Sequence, residues 1–225
     1  MTKKDLILIP FILFLTTCSS LPNNVASNFK VAFSSIQAAI FGFEDYPISR
    51  DLVSNIPYAS LILKIGKGPA GLLILESKKD GLNTWVSADD VSIIEKGGKI
   101  VRTIGLTNNV VGLRSLQEKT FIDLITLSPS NKIINTDYLS LDNPEVFEME
   151  LDCYVLIEGE EVIEILDRKF SLIHISRVKE NKFLRWEVKD HFWVDPIDGF
   201  VWKSIQNLAP NLPPVLIEVT KRPAN

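Results

Sequence analysis

Hydrophobic and polar residues alternate along much of this chain with the two-residue period of a β-strand. In residues 184–194 every second position is mostly apolar, and charged residues such as Glu187 fall between them. A half-buried strand gives this pattern, because successive side chains point to opposite faces of a sheet. Residues 91–104 form the clearest hairpin, in which Gly97 and Gly98 supply the positive φ angles of a primed turn.

Glycine, proline and aspartate turn signals divide the rest of the chain into further strand-like runs. The runs cover residues 58–65, 71–77, 83–87, 147–158, 161–167, 169–179, 200–205 and 215–219, with weaker patterns at 107–115 and 128–135. Residues 121–127 fit either a strand or a short helix. Pro213 and Pro214 precede the last run and indicate an edge strand. The sequence therefore predicts a mainly β fold, with antiparallel meander sheets forming a sandwich or a partly open barrel.

A helical period replaces the β pattern between residues 25 and 40, where apolar residues recur every three or four positions. We expect an N-terminal amphipathic helix that docks on the β domain. Lying on a membrane is disfavoured, because Lys30 is the only cation on its polar face. Ser49 is expected to cap a short helical turn over residues 50–53.

The first eighteen residues have the layout of a secretion signal: Lys3 and Lys4 precede an apolar run, which ends before Cys18. The run is shorter than the roughly 20 residues that a membrane-spanning helix needs. Leu15 fits a bacterial lipobox and Thr17 does not. We expect lipidation of Cys18 by acyl chains such as palmitate, with an ordinary cleaved signal or a retained anchor as alternatives.

These signals divide the chain into three parts. Residues 1–17 are the predicted signal peptide, residues 18–24 a lipidated tether containing Pro22, and residues 25–225 a single mainly β periplasmic domain. Ser19 after the cysteine favours an outer-membrane location, facing the periplasm. The outer-membrane bilayer is then a partner through the lipid anchor.

The net charge is −4, and removing Lys3, Lys4 and Asp5 leaves −4 − (+1) = −5, so we expect no nucleic-acid partner. The chain has two cysteines, Cys18 and Cys153. If Cys18 carries lipid, Cys153 has no disulfide partner within the chain; a bridge between them after ordinary cleavage is the alternative.

The sequence predicts no cofactor and no metal site. Residues 66–71 match G-x-G-x-x-G, but a β-type run follows instead of the helix that holds a dinucleotide pyrophosphate. His174 and His191 are the only histidines, which leaves zinc and triad chemistry without ligands. His174 lies in an apolar run, where a hydrogen-bonded strand histidine is the simpler interpretation.

Aspartate pairs and tryptophans are the remaining candidates. Asp195 with Asp198 could serve as the acid and base of a glycosidase, but their spacing beside proline and glycine is typical of a turn. Trp193 falls on the charged face of its strand, so it is exposed for a ligand or partner unless a bulge or second layer covers it. Trp85 and Trp202 are interpreted as mainly structural.

One block of sequence carries a family resemblance: Phe192-Trp193-Val194-Asp195-Pro196-Ile197-Asp198-Gly199-Phe200-Val201-Trp202-Lys203-Ser204-Ile205-Gln206. It resembles the YjbF/GfcB family of group 4 capsule polysaccharide lipoproteins, as do residues 56–60, 98–106, 209–214 and 217–219. The resemblance implies a mostly β periplasmic lipoprotein of a Gram-negative bacterium, encoded with exopolysaccharide or capsule secretion components. It supplies no catalytic residue. Its recurring Arg102, Trp193, Asp195 and Trp202 are candidates for ligand or partner binding, or for fold signatures.

The leading hypothesis is a non-catalytic outer-membrane lipoprotein that assists exopolysaccharide or capsule export or assembly, by binding glycan or a secretion partner. An alternative is a polysaccharide-modifying enzyme that uses Asp195 or Asp198. A third is a scaffold that recognises an outer-membrane β-barrel protein through a sheet edge.

Overall fold

Twelve antiparallel strands form one sheet that curls into a nearly closed, barrel-like structure. The computed structural model describes residues 48–117, 119–126, 133–210 and 212–224. The predicted signal peptide, the tether and the amphipathic helix over residues 25–40 lie outside these residues. Of the two sheet arrangements that the sequence left open, the structure adopts the barrel-like one.

Two short helices accompany the strands within these described residues. The helices are α1 (Arg50–Ser54) and α2 (Phe121–Thr126). The strands are β1 (Ser60–Ile65), β2 (Ala70–Lys79), β3 (Leu82–Val86), β4 (Ser92–Lys96), β5 (Lys99–Ile104), β6 (Val110–Ser115), β7 (Ile133–Asp142), β8 (Glu145–Ile165), β9 (Arg168–Asn181), β10 (Trp186–Val194), β11 (Val201–Gln206) and β12 (Val215–Lys221). Neither helix in this described part of the chain has the length and apolar character needed to cross a membrane.

The sheet runs in the order β5-β4-β3-β2-β1-β12-β11-β10-β9-β8-β7-β6. Strands that follow one another in sequence are therefore neighbours, except at β5 and β6. The prediction of an edge strand near the C-terminus was wrong, because β12 pairs with both β1 and β11. Pro213 and Pro214 lie just before β12, so neither removes a donor from its ladder.

The edges of the sheet, β5 and β6, meet through a side chain. The backbone N–H of Val110 donates to Oγ1 of Thr103 at 2.9 Å, where a continuous ladder would use a carbonyl oxygen. The sheet is thus closed by contact at this end and leaves a gap where β5 begins and β6 ends.

The local predictions for turns and caps are confirmed. Gly97 and Gly98 have φ values of 55° and 81°, as a primed turn requires. The hydroxyl of Ser49 accepts the N–H of Leu52 at 3.2 Å and caps α1. Residues 121–126 are helical, which resolves the ambiguity left by the sequence.

The main core fills the inside of the curled sheet. Its fully buried side chains come from strands all around the ring and include Leu61, Leu73, Trp85, Ile93, Leu139 and Ile217. A second cluster packs α2 against the same face of β9 to β11, with the rings of Phe121 and Phe192 4.8 Å apart. Alternation along each strand directs these residues inward.

The outer ends of β8 and β9 extend beyond β10 and fold back over the opposite face of the sheet. We call residues 161–172 the flap. A register shift between Ile157 and Gly159, with Gly159 at φ 127°, interrupts the long ladder before the flap. The sequence split β8 into two strands at this glycine, whereas the structure continues through it.

Arg50 of α1 fastens the flap to the sheet. Its guanidinium donates to the carbonyl oxygens of Ile165 at 2.7 Å, Leu166 at 3.0 Å and Thr220 at 3.0 Å. Thr220 belongs to β12, so three hydrogen bonds from one side chain join two distant parts of the chain.

Candidate functional site

The turn between β10 and β11 positions three of the sequence candidates. The carboxylate of Asp195 accepts the backbone N–H of Ile197 at 3.0 Å and Nε1–H of Trp202 at 3.3 Å. Gly199 has φ 75°, and a Cβ there would lie 2.9 Å from the backbone nitrogen of Ile122 in α2. The glycine thus lets the turn pack directly against α2.

Trp202 is a half-buried support for its neighbours. Its ring lies 5.1 Å from that of Phe200 in an edge-on arrangement and 4.5 Å from that of Phe170 in the flap. Its contact with Asp195 fixes its orientation. Trp202 therefore links Asp195 and Phe200 at the turn to Phe170 in the flap.

Trp193 is 8% exposed, because the flap covers it. Its Nε1–H donates to Glu161 at 2.8 Å, and its ring stacks on His174 at 4.8 Å with an interplanar angle of 4°. Ile163, Ile165 and Leu172 complete the packing. The sequence predicts an exposed Trp193 unless a bulge or a second layer covers it. The flap is that second layer.

His174 is a hydrogen-bonded strand histidine, as predicted. Its Nε2 lies 2.9 Å from Nδ1 of His191. Burial, followed by the positive field of His174 and Lys189, lowers the pKa of His191. Among the described residues no group of three or more His, Cys, Asp or Glu side chains is arranged to hold a metal ion.

No contact among the described residues joins Arg102 to the other candidate residues. It is an exposed residue of β5, paired across the ladder with Ile94. Its side chain makes no hydrogen bond or salt bridge with any residue that the structure describes. A binding role for Arg102 and Trp193 stays a prediction.

Next to the turn lies an open groove of about 540 Å³, which we call the basic groove. The β4–β5 turn, the start of α2 and the β10–β11 turn form its walls. Its charged and aromatic lining includes Lys96, Lys99, Lys119, Asp198, Phe200 and Arg222. Two turns and the start of one helix, all distant in sequence, thus converge at one end of the sheet.

Arg222 and Phe200 form one rim of the basic groove. The guanidinium carbon of Arg222 lies 4.3 Å from the ring centroid of Phe200, and Arg222 also pairs with Asp198 at 2.5 Å. Burial acts to raise the pKa of Asp198, but the hydrogen bonds from Arg222 and the Phe200 N–H lower it overall. The rim thus combines an aromatic ring with a guanidinium that is held by Asp198.

The geometry of the two aspartates does not suit a general acid. A glycosidase acid needs a raised pKa so that it holds a proton at neutral pH. Asp198 has a lowered pKa and an arginine partner, and both oxygens of Asp195 accept hydrogen bonds within the turn. Turn chemistry accounts for both residues.

A buried ionic network lies beside the basic groove, inside the sheet. Arg177 contacts Asp137 at 3.0 Å and Asp190 at 3.4 Å, and Lys179 contacts Asp190 at 2.9 Å. Burial acts to lower the pKa of Arg177, but the two aspartates raise it overall. Two cations and two carboxylates balance, which offsets much of the cost of removing each charge from water.

Neither the basic groove nor the buried ionic network is predicted from the sequence. Lys96, Lys99 and Lys119 lie in or beside turns, where exposed lysines are ordinary. One signal was available for the network: Asp190 occupies an inward position in an otherwise mostly apolar series, and a buried carboxylate requires a partner.

The comparisons with known proteins agree with this fold. A family model described as "Group 4 capsule polysaccharide lipoprotein gfcB, YjbF" matches residues 33–220. The chain belongs to this family. The resemblance drawn from residues 192–206 is therefore confirmed, and membership implies a membrane-anchored lipoprotein associated with capsule polysaccharide.

Two relatives and one solved structure extend the match. The "Uncharacterized lipoprotein GfcB" of Escherichia coli K12 is 21% identical over 216 residues, covering 94% of this chain and 95% of its own. The "Uncharacterized lipoprotein YjbF" of the same organism is 27% identical over 116 residues, 52% of this chain and 50% of its own. The crystal structure of the hypothetical lipoprotein YmcC from Escherichia coli K12 has a TM-score of 0.69 at 18% identity. It covers 85% of this chain and 96% of that one, and so shares the fold.

Proposed function

We propose that this protein assists the export or assembly of an extracellular polysaccharide by binding glycan in the basic groove, without catalysing a reaction on it. A signal peptide over residues 1–17 and acyl chains on Cys18 place it at the outer membrane, facing the periplasm. The family's association with capsule polysaccharide supports this proposal.

The observation that carries the proposal is the geometry of the basic groove. Its volume of about 540 Å³ falls within the range of roughly 300–1,000 Å³ typical of ligand sites. The Phe200–Arg222 rim offers an aromatic ring and guanidinium N–H donors, against which a sugar ring can pack and form hydrogen bonds. Trp202 and Asp195 contribute indirectly, because they hold Phe200 and its turn in place.

Tryptophan fluorescence tests the proposal, since Trp202 contacts the rim of the groove. Titration of the protein with extracellular polysaccharide from its own host should change the emission and saturate. Phe200→Ala should weaken binding, because it removes the ring that supports Arg222. Phe183→Ala is the matched control: Phe183 is 94% exposed in the β9–β10 turn, at the opposite end of the sheet. Equal binding by the two variants would contradict the assignment of the groove.

Metabolic labelling with radioactive palmitate tests the anchor separately. Label should enter the parent protein and be absent from a Cys18→Ala variant. Persistent label in the variant would rule out Cys18 as the lipid site. Fractionation of the labelled cells then tests the outer-membrane location.

A secretion partner that adds a strand to the sheet is the second candidate. The observation in its favour is the gap between the two edge strands where β5 begins and β6 ends, which is lined by Val101 and Leu113. Crosslinking in membranes from residues introduced at these positions would yield a protein adduct if this surface binds a partner.

A further inference from the structure

The charge in the basic groove differs from that of the chain as a whole. The protein has a net charge of −4, yet the groove is lined by four cationic residues: Lys96, Lys99, Lys119 and Arg222. Asp198 is the only acidic residue among the described lining residues, and Arg222 pairs with it. The described lining thus contains more cationic than acidic residues, and such a lining favours an anionic ligand.

Lys119 is the cation best placed to meet such a ligand. It is exposed and forms no hydrogen bond or salt bridge within the described part of the chain. The nearby Asp123 is already hydrogen-bonded to Thr120. Its carboxylate accepts the backbone N–H of Thr120 at 3.0 Å and the hydroxyl of Thr120 at 2.6 Å. These hydrogen bonds, with a smaller contribution from Lys119, lower the pKa of Asp123. Among the described residues, no carboxylate pairs with Lys119 and so competes with an anionic ligand.

A small side cavity of about 40 Å³ adjoins the basic groove. It shares Lys99, Lys119 and Phe121 with the groove and is also lined by Arg177. One water needs roughly 10–15 Å³ of such space, so the cavity accepts a group of about three heavy atoms. A carboxylate has this size.

Arg177 supplies an unused donor at this cavity. The side chain is 6% exposed, and both terminal nitrogens contact aspartates of the buried network. Its Nε–H, however, has no hydrogen-bond acceptor among the described residues. Buried donors without partners are rare and costly, and this one belongs to a side chain that lines the side cavity.

We infer that the basic groove takes an acidic glycan, one of whose carboxylates enters the side cavity between Lys119 and Arg177. This inference rests on the proposed function, because it names the substrate class of the same groove. The anion would form charge-assisted hydrogen bonds with both residues, which are stronger than those between neutral groups. Neutral sugars would retain only the contacts with the Phe200–Arg222 rim.

Paired polysaccharide probes test this assignment. Extracellular polysaccharide from the host is used before and after chemical reduction of its carboxylates to primary alcohols, with the full chain in non-ionic detergent. We expect the reduced polysaccharide to bind about tenfold or more weakly, as the loss of a hydrogen bond to a charged group predicts. Added salt should weaken the native interaction more than the reduced one.

The charge-reversal variant Lys119→Glu should lose about tenfold or more in affinity for the native polysaccharide. Lys67→Glu is the matched control, because Lys67 is an exposed lysine in the β1–β2 turn at the other end of the sheet. It makes the same change in net charge and should bind as the parent does. Equal losses in both variants would show a general charge effect and overturn the assignment.

The remaining outcomes separate the inference from the proposed function. Equal binding of native and reduced polysaccharide overturns the carboxylate and leaves glycan binding intact. Binding of neither overturns both. Binding only to phosphatidylglycerol vesicles through Lys119 would assign the groove to a membrane surface instead.

Nuclear magnetic resonance tests the side cavity without relying on a folded Arg177 variant. The Nε–H resonance of Arg177 should shift downfield when the native polysaccharide is added and stay in place with the reduced one. A resonance that does not move while binding occurs would place the carboxylate elsewhere.

Discussion

Replacing Gly98 by alanine should destabilise this protein more than the same change at its neighbour Gly97. Both glycines have positive φ, so each alanine carries a backbone cost of about 1–2 kcal/mol. The two sites differ in the room available for a Cβ atom. A Cβ at Gly97 meets nothing within 4 Å, whereas a Cβ at Gly98 would lie 2.3 Å from Cγ2 and 2.5 Å from Cβ of Val201.

The contact between the new Cβ and Val201 determines how much more Gly98→Ala lowers the free energy of unfolding. Overpacking of this kind costs about 1–3 kcal/mol, so Gly98→Ala should lower the free energy of unfolding by roughly 2–5 kcal/mol in total, and Gly97→Ala by about 1–2 kcal/mol. For a domain of this size, each kcal/mol corresponds to roughly 2–4 °C in Tm. The variants should therefore be separable in a thermal melt.

Urea unfolding followed by tryptophan fluorescence measures the difference. The slope of unfolding free energy against urea should be the same for both variants, since the surface exposed on unfolding is unchanged. A Val201→Ala background removes Cγ1 and Cγ2 but keeps Cβ, so it should relieve part of the cost of Gly98→Ala. Equal destabilisation by the two alanines, or no relief in that background, would refute the reasoning.

Three further predictions concern single buried or linking side chains. Burial raises the pKa of Glu95 despite its hydrogen bond from Asn83; the stability that this group contributes is present at low pH and is lost as pH rises through its folded pKa. Glu95→Gln should therefore gain on the parent in urea midpoint as pH rises above the ordinary range of a glutamate, and parallel curves would contradict this. Burial raises the pKa of Cys153 to about 12, so in a Cys18→Ala variant its thiol should resist maleimide at neutral pH until the chain is unfolded; rapid native labelling would count against the buried site. Arg50→Ala should cost about 1.5–3 kcal/mol and speed hydrogen exchange in the flap, while unchanged exchange there would show that its three carbonyl contacts do not hold the flap.

The sequence predicted features that depend on neighbouring residues. The Gly97–Gly98 turn follows from the φ angles that a two-residue loop demands, and the Ser49 cap from one hydroxyl near a free N–H. The position of β12 could not be found in the same way. Its partner Ser60 lies about 160 residues before Lys221, and no local pattern encodes which strands meet.

The candidate site shows the same limit. Trp193 lies on the face where alternation places it, but its exposure depends on the flap, and the flap depends on β8 continuing past Gly159. A glycine followed by charged residues has the appearance of a strand end, so the sequence predicts a break there. The basic groove is harder still, because two turns and the start of one helix, all distant in sequence, each contribute one wall.

The position of β12 also determines when the sheet can be completed during synthesis. β1 to β5 form a local meander that can pair as soon as it is made, yet its strand ladder to the rest of the described sheet is the one between β1 and β12. Since a chain is made from its N-terminus, this first meander must wait for the last described strand. Pairing over so long a separation is slow. A chaperone that covers the unpaired edge of β1 during this interval would raise the yield of folded protein without changing its final stability.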